Sequence, residues 1–338
     1  MEIKPIDFQH KISAHCENGV TSNLMRFYGM DLDEPMIFGI GSGLFFTFLP
    51  FIKLNGAPVT SFRPMPGAIF KRFNKSLGIK TKTKRFPGNP DKAMQELDKL
   101  LAQGIPVGMV VGVYHLTYFP APLRFHFNAH NIVAYAKKDG KYLVSDPIME
   151  NPEWITEEDL KRVRYAKGTY KPKGKMYYVT EVPKEYDLKR AIRKSIKYTA
   201  TMMVRAPGPI VGVNGIRFLA RNIRKWPKKH SSKIAARYLG SVIRMQEEIG
   251  TGGAGFRFLY AAFLQEAGRI LKSDEILRQS EKMTEAGDLW RAFAIEAARV
   301  VKNRPQAGES YDSVADRLME IADIEASVFR SLLKVKYK

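Results

Sequence analysis

Cys16 is the only cysteine in this 338-residue chain, and it stands at the head of an apolar, helix-like run from Val20 to Tyr28. At a helix start the first-turn N–H groups and the positive end of the helix dipole stabilise a thiolate, so the position suits a nucleophile. A lone thiol also serves as a small buried hydrophobe, and position alone does not separate the two. Partners for the thiol come from a second segment. Phe125-His126-Phe127-Asn128-Ala129-His130-Asn131-Ile132-Val133-Ala134-Tyr135, then Asp139-Gly140, Lys141 to Ser145 and Asp146-Pro147, reads as strand, tight turn, strand and a proline-marked exit. His130 then begins the first strand and Asp146 ends the second, so the hairpin sets the two side chains beside each other. An imidazole that takes a thiol proton, steered by an acid on its other nitrogen, is the arrangement of acyl chemistry at cysteine. His126, on the same face of that strand, is the competing base.

Three words of the sequence resemble a known family: His15-Cys16-Glu17, then Phe38-Gly39-Ile40-Gly41-Ser42-Gly43-Leu44 after Glu34, then His126-Phe127 to His130 with Asp146-Pro147. They are similar to papain-like cysteine enzymes and, more closely, to the acyltransferases of the butirosin biosynthesis protein H (BtrH) family, over roughly residues 8–180. The resemblance implies an α+β fold class, a papain-like catalytic domain followed by an all-α domain. It also implies the reaction: an acyl group passes from an acyl-carrier-protein thioester through acyl-Cys16 to a small-molecule or lipid acceptor amine or hydroxyl, in secondary-metabolite or lipid biosynthesis. Phosphopantetheine then belongs to the carrier substrate, and the enzyme itself needs no bound cofactor. His130 falls where the family places its base. Papain-like enzymes also carry an oxyanion-hole glutamine shortly before the nucleophile; here His10 stands at that spacing and Gln9 one residue earlier, and both are candidate donors.

The longest uncharged stretch runs from Pro35 to Ile52, and Gly39, Gly41, Ser42, Gly43 and Pro50 interrupt it. A spanning helix needs about twenty mostly apolar residues without such breaks, so a buried loop or strand beside the thiol is expected instead. Gly41, Ser42 and Gly43 would let the backbone close on substrate, and Phe45, with Phe46, Phe48 and Phe51, would line an acyl tunnel or pack a core. The spacing of His115, His126 and His130 matches no strong zinc pattern, and no metal is expected.

Charge is distributed unevenly. The net value is +21, and neither Met36–Pro90 nor Leu188–Gln246 contains an acidic residue. Such fields attract acidic partners. An acidic acyl carrier protein fits; so does an anionic membrane face, since Lys189 to Val204 mixes Ile192, Ile196, Tyr198, Met202 and Met203 with basic residues in the manner of an interfacial helix or of one whose apolar side packs. No groove-reading or aromatic-glycine signature accompanies the charge, which argues against nucleic acid. Gly250-Thr251-Gly252-Gly253-Ala254-Gly255 ahead of Phe256 could cradle a phosphopantetheine phosphate with Arg257, although it lacks the ending of a nucleotide-binding loop.

Length and 45% hydrophobic content suit two cores. Pro183-Lys184-Glu185 marks a boundary between a mixed domain, 1–183, and a basic helical domain, 184–338, that docks a partner or covers the site. Helices are expected over Asp91–Gln103, Lys189–Val204, Gly215–Lys225, Ser232–Ile249, Phe256–Leu271, Ser273–Val301 with a break near Gly287, and Tyr311–Leu333. A lone cysteine and a beginning without an apolar leader point to the cytoplasm, with or without membrane contact. Two other readings share these residues: a cysteine peptidase or amidase with water as acceptor, and a non-catalytic basic scaffold for a membrane or an acidic protein.

Overall fold

The computed structural model describes residues 2–337. In chain order its elements are α1 (Cys16–Phe27), α2 (Glu34–Ile40), β1 (Thr47–Leu54), β2 (Ala57–Ser61), α3 (Ala68–Leu77), β3 (Lys80–Lys84), α4 (Pro90–Ala102), β4 (Val107–Val111), β5 (His130–Lys138), β6 (Lys141–Ser145), β7 (Glu153–Thr156), α5 (Glu157–Arg164) and β8 (Met176–Glu181), followed by seven helices. These are α6 (Leu188–Arg205), α7 (Gly212–Ile223), α8 (Trp226–Lys229), α9 (Ser232–Glu247), α10 (Arg257–Leu271), α11 (Asp274–Val301) and α12 (Tyr311–Leu332). They form two compact units. The first takes the chain up to Ile37 and Asn74–Tyr186; the second takes Phe38–Phe73 and the chain from Asp187 onward. The single cut expected near residue 183 is therefore corrected: an early segment crosses to the later unit, because its aromatics complete that unit's core.

The first unit is built on one antiparallel sheet ordered β3-β8-β4-β5-β6-β7. In β5 all residues but the last are buried, as befits a strand near the centre of the sheet. Asp139 and Gly140 both take positive φ, 49° and 71°, the conformation that closes a two-residue hairpin. Pairing of Val133 with Ser145 fixes the register of β5 against β6. Asp146 then falls level with Ile132, on the face that also carries His130. Helix α4 is capped by Asn89, whose side chain accepts from Lys92 N at 3.0 Å, and it packs Met94, Leu97 and Leu101 into the same core as Met109, Ile132, Val144 and Leu160.

The second unit is helical apart from the β1–β2 hairpin. Phe46 packs edge-on against Phe62 at 5.3 Å between ring centroids, and Phe48 sits 5.8 Å from Phe218. Helix α11 runs unbroken through Gly287, where an added Cβ would come within 2.6 Å of the Phe258 ring; the glycine serves close packing of α10 on α11 rather than a break. Among the described residues no helix is long and apolar enough to cross a membrane.

At the centre of this unit lies a buried ion pair. Arg257 donates through Nε and Nη2 to the two carboxylate oxygens of Glu325, at 2.8 and 3.0 Å, while its Nη1 donates to Gly255 O and Trp290 Nε1 donates to Glu325 Oε1. Both charged side chains are fully buried. The pair ties the glycine-rich loop, α10, α11 and α12 together, and removing one member strands a charge out of water. Arg257→Ala should cost about 3–5 kcal/mol in urea unfolding, with much of the loss recovered in Arg257→Met/Glu325→Leu. An Arg257→Ala protein as stable as wild type would contradict this role.

Candidate active site

Helix α1 begins at Cys16, with His15 in extended conformation (φ −132°, ψ 126°) as its N-cap. The first helical hydrogen bond runs from Gly19 N to His15 O, so the positive end of the α1 dipole begins at the thiol-bearing residue. Two features fix this start. Glu34 accepts from Ala14 N and from His15 N, each at 2.8 Å. Burial pushes the Glu34 carboxyl up, while these two bonds and the Asn18 amide pull it down. Gly19 abuts the turn after β6: an added Cβ would lie 2.5 Å from Pro147 Cβ and 2.7 Å from Ser13 Cβ. Only glycine lets α1 come that close. Ser13 N donates to Pro147 O at 2.7 Å, closing the strap that leads into the helix over the same turn.

Across that turn lies a buried carboxylate. His130 Nε2 meets Asp146 Oδ2 at 2.7 Å, Tyr118 OH donates to the same oxygen at 2.9 Å, and Ile148 N donates to Oδ1 at 3.1 Å. With Nε2 occupied, Nδ1 is left for the thiol, and a hydrogen bond joins His130 to Cys16. The edge of Phe119 packs on the ring at 5.4 Å. Burial disfavours the imidazolium, yet the Asp146 carboxylate and the Cys16 sulfur together outweigh it and push His130 up to about 10. A protonated imidazole therefore faces the sulfur across the physiological range. That is the electrostatic condition under which a cysteine is held as thiolate.

A second line of contacts reaches the sulfur from the other side. Tyr177 OH donates to Asn131 Oδ1 at 2.8 Å, and Asn131 Nδ2 lies 3.9 Å from Cys16 Sγ and 3.2 Å from Ala129 O. Burial, and then the charges of Glu17 and Cys16, push the Tyr177 phenol well above its ordinary range, so it stays a donor. Asn131, Tyr118 and Tyr177 carry no motif, and Glu34 enters the sequence reading only as the residue ahead of the Phe38–Leu44 word, without a role. Asn131 carried one readable signal: it is an amide inside the otherwise apolar run that follows His130.

Other expected site residues have engagements of their own. His10 is held through Nδ1 to Ser145 Oγ at 2.8 Å and through Nε2 to Met149 O at 3.1 Å, so its ring is spent tying the strap to the end of β6. Gln9 is exposed. His126 is not on a strand: β5 starts at His130, and His126 sits in the preceding loop, stacked on Tyr114 at 4.0 Å. Gly41, Ser42, Gly43 and Phe45 belong to the second unit. There an added Cβ at Gly43 would meet the Phe38 ring at 2.3 Å, Ser42 O accepts from Arg72 Nη1, and Phe45 N donates to Phe62 O. Phe46 and Phe48 pack the helical core and Phe51 is exposed, so no aromatic tunnel forms from them. Arg257 is fully buried with its guanidinium paired to Glu325, so it is not presented to a phosphate. Ile192, Ile196 and Met203 of α6 are buried within the helical unit, which corrects the interfacial-helix reading. Among the described residues no group of three or more His, Cys, Asp or Glu side chains could hold a metal ion.

Residues 15–147, which include all three members of the thiol cluster, match the family model described as Butirosin biosynthesis protein H, N-terminal. Residues 158–332, more than half of the chain, match the model described as Domain of unknown function (DUF4872). The chain belongs to the DUF4872 family, with a BtrH N-terminal region ahead of that domain. Its first unit is α+β and its second is helical apart from one hairpin. Among solved structures a C39-like peptidase from Bacillus anthracis is similar, with a TM-score of 0.38 and 12% identity, over 54% of this chain and 100% of that one. No curated protein matches the chain.

The electrostatics give a pH test. With an imidazolium beside it, Cys16 should react with iodoacetamide at a rate nearly level from neutral pH upward. In His130→Ala the rate should fall at least about tenfold at neutral pH and then climb toward the ordinary thiol range near 8.5. Superimposable profiles would show that His130 does not act on the thiol. Asn131→Ala, which removes an amide near the sulfur without touching the imidazole, should leave that alkylation profile in place.

Proposed function

We propose that this BtrH-like protein is a cysteine-dependent acyltransferase that takes its acyl group from an acyl-carrier-protein thioester and delivers it to an amine or hydroxyl acceptor. The observation that carries the reading is the buried His130–Asp146 pair in contact with Cys16 at the start of α1. The family match supports a biosynthetic rather than a degradative setting.

The chemistry follows from the residues in place. Cys16 Sγ attacks the thioester carbonyl, and negative charge builds on its oxygen. On this reading the N–H groups at the start of α1 and the Asn131 amide are its donors, and loss of one such donor typically costs on the order of a hundredfold in rate. The attack forms the bond from Cys16 to the acyl carbon, and collapse re-forms the carbonyl and breaks the bond to the pantetheine sulfur, which takes the proton from His130. One thioester has become another, so this half-reaction is close to balanced. The acceptor then attacks the acyl carbon as neutral His130 takes its proton, Cys16 leaves as thiolate, and the imidazolium that Asp146 stabilises is restored. Asp146 fixes which ring nitrogen carries the proton and where the ring points.

An acidic carrier is the donor that the charge favours. The outer face of α6 presents Lys189, Arg190, Lys194 and Lys197, all exposed, in a segment without acidic residues. Opposite charge on the carrier would speed encounter in a salt-dependent way. The phosphopantetheine phosphate must then find its partner among residues other than Arg257.

Intact-mass spectrometry with a panel of acylated carrier proteins tests the proposal. Wild type should gain the mass of one acyl group and Cys16→Ala none, with Asn131→Ala acylating on the order of a hundredfold more slowly. Rapid release of free acid without an acceptor would instead assign a hydrolase, and no adduct from any carrier would overturn the transferase reading.

A further inference from the structure

The β1–β2 hairpin carries an unusual tip. Phe51, Ile52 and Leu54 are 71%, 44% and 42% exposed, in a run from Phe51 to Gly56 that is exposed throughout. They are not the end of a loose loop. Asn55 and Gly56 close a tight turn with φ of 51° and 77°, and the base is anchored by Phe48 N and Thr47 Oγ1, both donating to Ile210 O, with Phe48 wedged against Phe218 and Trp226. Pairing jumps from Leu49↔Val59 to Lys53↔Pro58, so Pro50, Phe51 and Ile52 have no partners on β2 and bulge from the ladder. Leaving large apolar side chains on a rigid projection is unfavourable in water and marks a surface that is covered in use.

What surrounds the tip identifies its partner. Lys53 Nζ lies 5.8 Å over the Tyr238 ring of α9, and Tyr238 in turn packs on Trp226 and His230. Arg237 stands at the turn itself, its Nη1 3.2 Å from where a Cβ on Gly56 would be. Lys225, Lys228, Lys229 and Lys233 follow on α8 and the segments beside it, all exposed. None of these four lysines nor Arg237 forms an ion pair among the described residues, whereas Arg217 of α7 and Arg224 just past its end are matched by acids of α12. The surface therefore joins an apolar wedge to neighbouring segments whose cations no carboxylate matches. A bilayer takes such a wedge without a preformed groove and offers anionic headgroups at the level of the lysines; a folded acidic protein would need a hollow shaped to the tip.

We infer that the β1–β2 tip, together with the cationic face of α8 and α9, is a membrane-docking surface for bilayers rich in acidic phospholipid. It holds the protein at the membrane without crossing it, by side chains distinct from the thiol cluster and from the outer face of α6.

The test is co-sedimentation of the full chain with phosphatidylcholine vesicles and with vesicles that also contain phosphatidylglycerol, at low and high salt. Wild type should bind the anionic vesicles, and high salt should weaken binding. Phe51→Ser/Ile52→Ser, which changes only exposed side chains, should weaken it at least about tenfold at unchanged charge and unchanged melting temperature. Lys228→Glu/Lys229→Glu should weaken it and flatten the salt dependence. Acylation of Cys16 by a soluble acylated carrier should be unaffected by the tip variant, which keeps this inference separable from the acyltransferase reading. Failure of wild type to bind anionic vesicles, or equal binding by the tip variant, would overturn the inference. A tip variant that loses acylation while vesicle binding is unchanged would assign the patch to the carrier instead.

Discussion

A carboxylate with no exposure to water is costly unless its oxygens are satisfied, and the first unit is organised around satisfying Asp146. Its three donors come from different parts of the chain: His130 at the start of β5, Tyr118 from the loop before it and Ile148 from the turn that follows. Burial raises the energy of that charge, and the proton on His130 offsets it. The imidazolium is thus held by the same interaction that makes the buried acid tolerable, and the charge facing Cys16 is a consequence of the fold rather than an addition to it.

The rest of the site consists of devices that keep α1 at a fixed distance from this pair. Glu34 clamps the two residues ahead of the helix, His10 and Ser13 stitch the strap to the exit of β6, and Gly19 permits an approach that any side chain would block. Each acts through backbone or second partners, and none touches the sulfur. The helical unit is held by a different principle, a fully buried Arg257–Glu325 pair bridged by Trp290, and gains its stability from residues that the chemistry does not use.

That Cys16, His130 and Asp146 come together was legible because their signals are local. An Asp-Gly turn sets the register of the hairpin, and register alone brings Asp146 to His130. Helix spans in the second half were legible for the same reason, through periodicity and caps. What escaped the sequence depended on tertiary partners. Residues Phe38–Phe73 carry no local mark of which core they will join, and their apolar character suits either. Arg257 beside a glycine-rich loop has the look of an anion site until Glu325, far along the chain, is seen to occupy it. His10 and His126 share the chemistry of a catalytic histidine, and only the partners of one and the loop position of the other show them spent elsewhere. Gly287 reads as a helix break from propensity, but packing against Phe258 makes it a contact point.

The central claim is that the buried Asp146 keeps His130 charged against the thiol, and an NMR titration of the His130 imidazole tests it most directly. The account predicts that the ring holds its proton until the pH approaches about 10, and that Asp146→Asn moves the midpoint sharply downward. A midpoint near the ordinary histidine value of about 6.5 in the wild-type protein would contradict it.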